Sequence, residues 1–308
     1  MREKQHIGVT LKKIREEKGI KVKDMVTPEL TRSSLSRIEA GKQEPSAEKF
    51  LSVLSLLNIT LEEFFLFHRD NEISLRGRLD WQISEVLRQR DRGEIKRLKR
   101  EVVAYQKIYG SSYFQHMEIK LEAAEILFEQ QFDFPKTRQI LGKEKLDVIK
   151  TYLDSVEQWH YYEIVLLNDT LHLFDVNQAL VWGDLAMEAV KRNYLHFKDQ
   201  GLALSLLGNL AALALEDEQF YMKAHDFSSI AIGLPPSTRN MQYVLYAKMM
   251  HQIVCYKLKS DCFDYNYLCN LVNWFLLAEM EDAYKEYKMI LKKHGIDLDA
   301  VPEGSSSR

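Results

Sequence analysis

Glycine and proline, the residues that most often interrupt regular structure, are scarce along this chain. Only 13 Gly and 6 Pro occur among 308 residues, whereas an all-β fold of this length needs many turn-forming residues between short strands. Apolar residues recur at the three- and four-residue spacing of amphipathic helices over most of the sequence. The sequence therefore predicts an all-α fold of helices joined by short connections.

The length indicates more than one domain, because 308 residues are twice the usual figure of about 150 per domain. Charge is unevenly distributed. Residues 1–67 hold 12 Lys and Arg against 10 Asp and Glu, whereas the rest of the chain has a net charge of −5. A mildly basic head is therefore expected to precede an acidic body.

No apolar run reaches the roughly 18 residues that a membrane span requires. The first residues also lack the apolar core of a secretory signal. We therefore expect a cytoplasmic protein without membrane contact.

Motifs for catalysis and for cofactors are absent from the sequence. No HExxH, GxSxG, P-loop or GxGxxG pattern occurs, so we expect neither an enzyme nor a bound cofactor. Cys255, Cys262 and Cys269 are odd in number and have no CxxC spacing. The expectation is that they are reduced core thiols with no role in a metal site or a disulfide.

The head, residues 1–67, has the pattern of five short helices. Gly19 and Gly41 stand where the first and third helices end, Thr31 is an N-cap for the third, and Thr60 and Glu63 form a capping box for the fifth. The second helix is expected over Lys21–Val26, ended by the Thr-Pro pair that follows.

The third helix, over Arg32–Ala40, has one wholly polar side. A helical wheel places on that side the four residues Arg32, Ser33, Ser36 and Arg37. Arg can bond guanine with two hydrogen bonds and Ser adapts to several bases, so this side suits the DNA major groove. An ordinary solvated helix face is the alternative that the wheel alone leaves open.

Two longer segments of the head resemble the helix-turn-helix of phage-repressor-type regulators. They are LKKIREEKG from Leu11 and SSLSRIEAGKQEPS from Ser33. The resemblance implies that Arg32, Ser33, Ser36 and Arg37 occupy base-reading positions, that Lys42 contacts phosphate, and that Arg15 pairs with Glu39. Val22 stands where the second helix of that family usually begins with Gln. The connection from Met25 to Leu35 is more specifically similar to the Rgg-type regulators of Gram-positive bacteria.

After a polar linker at 68–77, residues 78–300 are predicted to be helices arranged as a tetratricopeptide-like solenoid. Residues 301–308 are expected to be a flexible tail. The spans read from the pattern are 78–91, 94–109, 112–131, 143–155, 157–172, 176–193, 199–216, 219–233, 238–258 and 263–293. The WHYYE segment at Trp159, with the apolar run to Asn168, also resembles Rgg-type receptors.

The Rgg resemblance implies that a groove in the body takes a short signalling peptide. Such a groove needs side-chain amides for the peptide backbone and aromatic pockets for its side chains. The candidates are Trp159, Tyr162, Asn168, Arg192, Asn193, Asn209, Tyr221, Tyr243 and Tyr246. The alternative for each is an ordinary core, capping or solvated residue.

These observations predict a homodimeric transcription regulator that binds a double-stranded DNA operator and is controlled by a peptide, as in quorum sensing. Two heads are expected because one recognition helix buries too little surface for useful affinity. Two alternatives remain open. The repeats could bind a protein partner instead of a peptide, or the chain could be a repeat adaptor that does not bind DNA.

Overall fold

A computed structural model describes residues 6–68, 75–193, 200–235 and 240–299, apart from the side chains of residues 88, 193 and 200. The described residues form helices and no strand, which confirms the all-α prediction. Most of the predicted linker and all of the predicted tail lie outside the described residues. The chain divides into two compact units, Met1–Ile95 and Lys96–Arg308.

The first unit begins with the short helices predicted for the head. They are α1 (Ile7–Glu17), a 3₁₀ turn (Val22–Met25), α2 (Arg32–Glu39), α3 (Ala47–Leu56) and α4 (Leu61–His68). The first unit also contains α5 (Leu75–Gln89), which the sequence predicted over 78–91 as the first helix of the body. The predicted second α-helix is only a 3₁₀ turn. Pro28 restricts the residue before it to extended conformations, so the chain has no room for a longer helix there.

Local signals at the ends of these helices act as predicted. Thr31 accepts a hydrogen bond from the Ser34 amide at 3.2 Å, and Thr60 and Glu63 bond reciprocally at 2.7 and 3.1 Å. Gly19 has a φ of 68°, the left-handed conformation in which glycine often ends a helix. Behind these caps lies a core of ten buried apolar residues: Leu11, Ile14, Met25, Leu30, Leu35, Ile38, Val53, Leu54, Leu57 and Phe64.

The second unit is a longer succession of helices. They are α6 (Arg92–Tyr109), which begins just before the division, then α7 (Ser112–Glu129), α8 (Phe134–Leu141), α9 (Lys143–Ser155), α10 (Tyr161–Thr170), α11 (Val176–Asn193), α12 (Gln200–Ala214), α13 (Tyr221–Gly233), α14 (Met241–Lys257), α15 (Tyr265–Leu277) and α16 (Glu281–Lys293). From α10 onwards each helix packs against the next, and α12 also packs against both α10 and α14. This pattern is that of stacked helical hairpins.

The second unit differs from the sequence prediction at two places. The single span predicted over 263–293 is divided into α15 and α16 by a break at which Glu279 has a φ of 58°. The pattern hid this break because no glycine or proline marks it. Helix α8 was not predicted at all, although Asp133 caps it and Pro135 lies in its first turn.

The expectation for the cysteines was wrong for two of the three. Cys255 and Cys262 form a disulfide, with their Cα atoms 5.7 Å apart, whereas Cys269 is free. Their spacing of seven residues does not suggest pairing. The chain reverses direction after α14, however, and this turn brings Cys262 back beside the end of that helix.

None of the helices in the described ranges is by itself long and apolar enough to cross a membrane. The pair α3 and α4 passes such a test only when the two are taken together, and they are bent by 94°. Both helices contribute side chains to the core of the first unit.

Candidate nucleic-acid interface and amide cluster

Helix α2 separates its polar and apolar residues onto opposite sides. The side chains of Arg32, Ser33, Ser36 and Arg37 are exposed. Leu35 and Ile38 are fully buried in the core of the first unit, which fixes the rotation of the helix about its axis. The structure therefore brings the four predicted base-reading residues together on one open surface, which we call the α2 face.

The ends of α2 place polar groups next to this surface. The Thr31 cap satisfies only one amide of the first turn, and other amides at a helix start can bond phosphate oxygens. At the other end Gly41 has a φ of 66°, and the Lys42 amide donates to the Arg37 carbonyl at 2.9 Å. This tight turn holds the exposed Lys42 directly after the helix, where a phosphate contact is expected.

A buried ion pair connects α1 to α2, as the resemblance implied. Arg15 Nε donates to Glu39 Oε1 at 2.6 Å and Arg15 Nη2 donates to Glu39 Oε2 at 2.9 Å. Arg15 Nη1 also donates to the Ile20 carbonyl at 3.0 Å. The hydrogen bond to Glu39 raises the pKa of Arg15 above its usual value. The pair keeps α2 at a fixed position against α1, so it orients the α2 face without belonging to it.

In the second unit, three of the predicted peptide-contact residues lie together. Asn209 Nδ2 on α12 donates to Asn168 Oδ1 on α10 at 3.1 Å, and the Tyr246 hydroxyl on α14 donates to Asn209 Oδ1 at 3.2 Å. All three side chains are partly buried. We call this row of Asn168, Asn209 and Tyr246 the amide ladder, since it crosses three neighbouring helices.

Three small residues shape the ladder, and of these the sequence predicted only Gly208, as a small residue at a helix crossing. Ser205, one turn before Asn209, donates to Asn168 Oδ1 at 3.4 Å. A Cβ atom at Gly208 would lie 2.6 Å from Tyr246, and one at Gly201 would lie 2.6 Å from Tyr243. The two glycines are seven residues apart and so lie on one side of α12. This spacing of the two glycines is visible in the sequence, and it indicates a side of the helix that another helix can approach closely.

The ladder is extended by aromatic rings towards α16. The rings of Tyr246 and Tyr287 lie 6.2 Å apart, and those of Tyr287 and Phe275 lie 4.5 Å apart. Burial, followed by the nearby Tyr287 and Glu286, raises the pKa of Tyr246 well above its usual value. Tyr246 therefore remains a neutral hydrogen-bond donor at all physiological pH values.

Two further candidates belong to the packed interior. Trp159 is 2% exposed and lies in the core, and its Nε1 has no hydrogen-bond partner among the described residues. The Tyr162 hydroxyl lies 2.8 Å from Nδ1 of the buried His116. Burial, followed by the charge of Lys120, lowers the pKa of His116 to about 4. Trp159 is therefore an ordinary core residue, which was the alternative that the sequence left open for each candidate.

The remaining candidates are Arg192, Asn193, Tyr221 and Tyr243. Arg192 is exposed in the last turn of α11, and the side chain of Asn193 lies outside the described residues. Tyr221 packs on the core at the start of α13. Tyr243 is 39% exposed one turn before Tyr246. Of these, Tyr243 is the one that shares a helix side with the ladder.

A pocket of about 440 Å³ lies elsewhere in the second unit, beside α8 and α9. Arg138, Lys143 and Lys150 contribute its basic groups, and Arg138 donates to the Phe174 carbonyl at 2.8 Å. None of the predicted peptide-contact residues lines this pocket. The ladder differs from this pocket in offering paired donors and acceptors across several helices, as an extended ligand requires.

Family models match both parts of the chain. The model of the C-terminal domain of the HTH-type transcriptional regulator Rgg matches residues 104–261, just over half of the chain. A helix-turn-helix model matches residues 11–64, which include the α2 face and Lys42.

Solved structures share the fold over nearly the whole length. The Streptococcus dysgalactiae SHP pheromone receptor Rgg2 is 17% identical, covers 93% of this chain and 99% of its own, and has a TM-score of 0.70. A Listeria monocytogenes EGD-e protein is 17% identical, covers 96% of this chain and 100% of its own, and has a TM-score of 0.77. Bacillus thuringiensis PlcR, in complex with the peptide PapR7 and DNA, is 18% identical. It covers 94% of this chain and 95% of its own, with a TM-score of 0.54.

Proposed function

Because this chain belongs to the Rgg family of helix-turn-helix transcriptional regulators, we propose that the α2 face reads an operator and that a short peptide bound at the amide ladder controls this binding. The protein acts in the cytoplasm as a regulator and not as an enzyme. The observation that carries the proposal is that the four predicted base-reading residues lie together on one exposed surface, and that three of the nine predicted peptide-contact residues lie together on neighbouring helices.

The α2 face has the composition that base reading requires. Arg32 and Arg37 can each donate two hydrogen bonds to a guanine edge, and Ser33 and Ser36 can donate or accept. All four are exposed, while Leu35 and Ile38 on the opposite side are buried. Lys42 and the amides at the start of α2 supply phosphate contacts that set the register.

Dimerisation follows from the small size of this surface. One eight-residue helix contacts only a few base pairs, so a second head is needed for operator affinity. A homodimer with two-fold symmetry presents two copies of the α2 face to half-sites about one DNA turn, roughly 34 Å, apart.

The ladder offers hydrogen bonds that a peptide backbone can use. An amide side chain has two N–H donors and an oxygen with two lone pairs. Among the described residues, Asn209 uses one donor for Asn168 and one lone pair for Tyr246. Its other donor and lone pair can bond a peptide group. The Rgg2 structure is that of a pheromone receptor, and the PlcR complex holds both a peptide and DNA.

Footprinting tests the DNA part of the proposal. Purified wild-type protein is incubated with the DNA upstream of its own gene, and protection should appear over two half-sites. The variant Arg37→Ala should lose this protection, whereas Lys285→Ala, which removes a surface cation from α16, should keep it. A wild-type protein that protects no region would favour the adaptor alternative.

A panel of short peptides encoded near the gene tests the peptide part. Binding of a labelled peptide should weaken in Asn209→Ala and remain in Asn270→Ala, which changes an exposed Asn on α15. Footprinting that succeeds while no peptide binds would favour the alternative in which the repeats bind a protein partner.

A further inference from the structure

The disulfide at the end of α14 has a histidine beside it. His251 and Cys255 are one turn apart on α14, and Cys262 lies in the connection to α15. His251 Nε2 is 3.5 Å from Cys255 Sγ. The ligand atoms of these three residues all lie within 4.8 Å of one another. One imidazole and two thiols at this spacing are a ligand set for a borderline-soft cation.

A buried serine fixes which nitrogen of His251 faces the sulfur atoms. Ser228 on α13 is fully buried, and its hydroxyl donates to the His225 carbonyl at 3.1 Å. The same hydroxyl oxygen lies 3.1 Å from His251 Nδ1. In the tautomer in which Nδ1 donates to this oxygen, Nε2 of the neutral ring carries the lone pair that a metal ligand needs. This is the arrangement by which outer partners orient histidine ligands.

The distance from His251 to Cys255 already suits zinc. With a Zn–S bond of about 2.3 Å and a Zn–N bond of about 2.0–2.1 Å, tetrahedral ligation separates the two donor atoms by about 3.6 Å. The observed 3.5 Å needs almost no adjustment. The two sulfur atoms must separate to about 3.8 Å, and Cys262 can make this movement because it is exposed in a connecting segment.

We propose that reduced Cys255 and Cys262, together with His251, bind a zinc-class divalent cation, and that the disulfide is the metal-free oxidised form of the same site. A dithiol reductant breaks the S–S bond and is itself oxidised to a disulfide, while the two protein sulfurs gain two electrons and two protons. The cation then replaces the two thiol protons, which leave to solvent. Water from the exposed side of Cys262 fills the fourth position.

The two forms of the site exclude each other, because both use the same two sulfur atoms. In either form the end of α14 is tied to the segment before α15. Only the metal form joins His251 to both sulfur atoms through the cation, whereas the contact of His251 with Ser228 on α13 is present in the disulfide form as well. This inference departs from the sequence expectation that the cysteines have no metal role. It is independent of the proposed peptide and DNA binding.

Zinc binding by the full-length protein tests the proposal. The protein is reduced with a phosphine, dialysed without oxygen against limited zinc, and analysed for metal per chain. We expect one zinc per reduced chain and none after oxidation with a disulfide-forming reagent. A reduced wild-type protein that retains no zinc would overturn the proposal.

Substitutions of single residues test which side chains bind the zinc ion. Cys262→Ser and His251→Gln should lose the stoichiometric zinc, and Ser228→Ala should weaken binding about 10–100-fold as an outer partner does. Cys269→Ser is the matched control, because it removes a free cysteine outside the cluster and should bind zinc as wild type does. Equal zinc affinity in Cys262→Ser and wild type would contradict the assignment.

A spectroscopic measurement on wild type covers the case in which a variant fails to fold. Reduced protein titrated with Co²⁺ should develop the visible absorption of a tetrahedral thiolate complex, and zinc should displace it. A titration that gives only the weak spectrum of cobalt with oxygen ligands would exclude the two thiolates and overturn the proposal.

Discussion

Arg37 and Lys42 lie only five residues apart, yet their side chains should act differently on DNA. Arg37→Ala and Ser33→Ala should each cost about 1–3 kcal/mol on the operator and relax base preference at one position of each half-site. Lys42→Ala should weaken binding to operator and to random duplex alike, because a phosphate contact carries no sequence information. Polarisation assays with both duplexes measure this. Equal loss on both duplexes in Arg37→Ala would mean that Arg37 does not read a base.

The pair of Arg15 and Glu39 should behave as one unit in stability measurements. Removal of either partner leaves the other charge buried and unpaired, so each single Ala variant should lose about 3 kcal/mol or more. The double variant should lose less than the sum of the two. Denaturant unfolding of all four proteins gives the coupling free energy, and strictly additive losses would contradict the contact seen in the structure.

The pKa of His116 predicts a pH dependence of stability. Burial lowers this pKa to about 4 from the usual histidine value of about 6.5, so between these two values the unfolded chain binds a proton that the folded chain does not. The folded state is therefore expected to lose stability as the pH falls from 6.5 towards 4, and His116 should contribute no pH dependence above pH 6.5.

The measurement for His116 is the slope of unfolding free energy against pH over that window. His116→Gln should have a shallower slope than wild type, because the variant has no ring to protonate at this position. Parallel slopes for the two proteins would show that His116 titrates alike in the folded and unfolded states.

At the scale of helices, the approach of α14 to α12 depends on Gly208. Gly208→Ala places a Cβ atom 2.6 Å from the ring of Tyr246, so the ring must move away from Asn209 or the helices must separate. Overpacking of this kind costs about 1–3 kcal/mol. Gly233→Ala is the control, since a Cβ there meets nothing within 4 Å. Thermal melts compare the two, and a Gly208→Ala protein as stable as the Gly233→Ala protein would contradict the close packing.

A structural element can be predicted from the sequence when the residues that determine it are close together along the chain. Caps, glycine stops and the polar side of α2 were predictable because each depends on residues within one or two turns. The break between α15 and α16 was hidden because Glu279 takes the left-handed conformation without a glycine. The disulfide was missed because it depends on how the chain turns after α14.

The ladder shows the same limit within a single site. Asn168, Asn209 and Tyr246 were named among nine candidates by residue type and by resemblance, but composition could not tell them from Trp159, which is in the core. The distinction comes from which helices are neighbours. Helix α12 packs against both α10 and α14, so residues about 40 positions apart meet.

At the scale of the whole molecule, one operator is expected to bind the heads of two chains. Light scattering of the full-length protein should give twice the chain mass of 36.1 kDa at micromolar concentration. Operator binding should rise with protein concentration as expected for a dimer. A protein that is monomeric in solution and binds a full operator as a single chain would contradict the symmetric arrangement.

The central claim is that a peptide at the amide ladder controls operator binding by the α2 face. The most direct test titrates peptide into a mixture of full-length protein and labelled operator, with wild type and Asn209→Ala compared. Wild type should change its operator affinity as peptide is added. Asn209→Ala should bind operator equally well without peptide but should need roughly 5–150-fold more peptide for the same change, since a lost buried hydrogen bond costs about 1–3 kcal/mol. Identical peptide responses in the two proteins would contradict the claim.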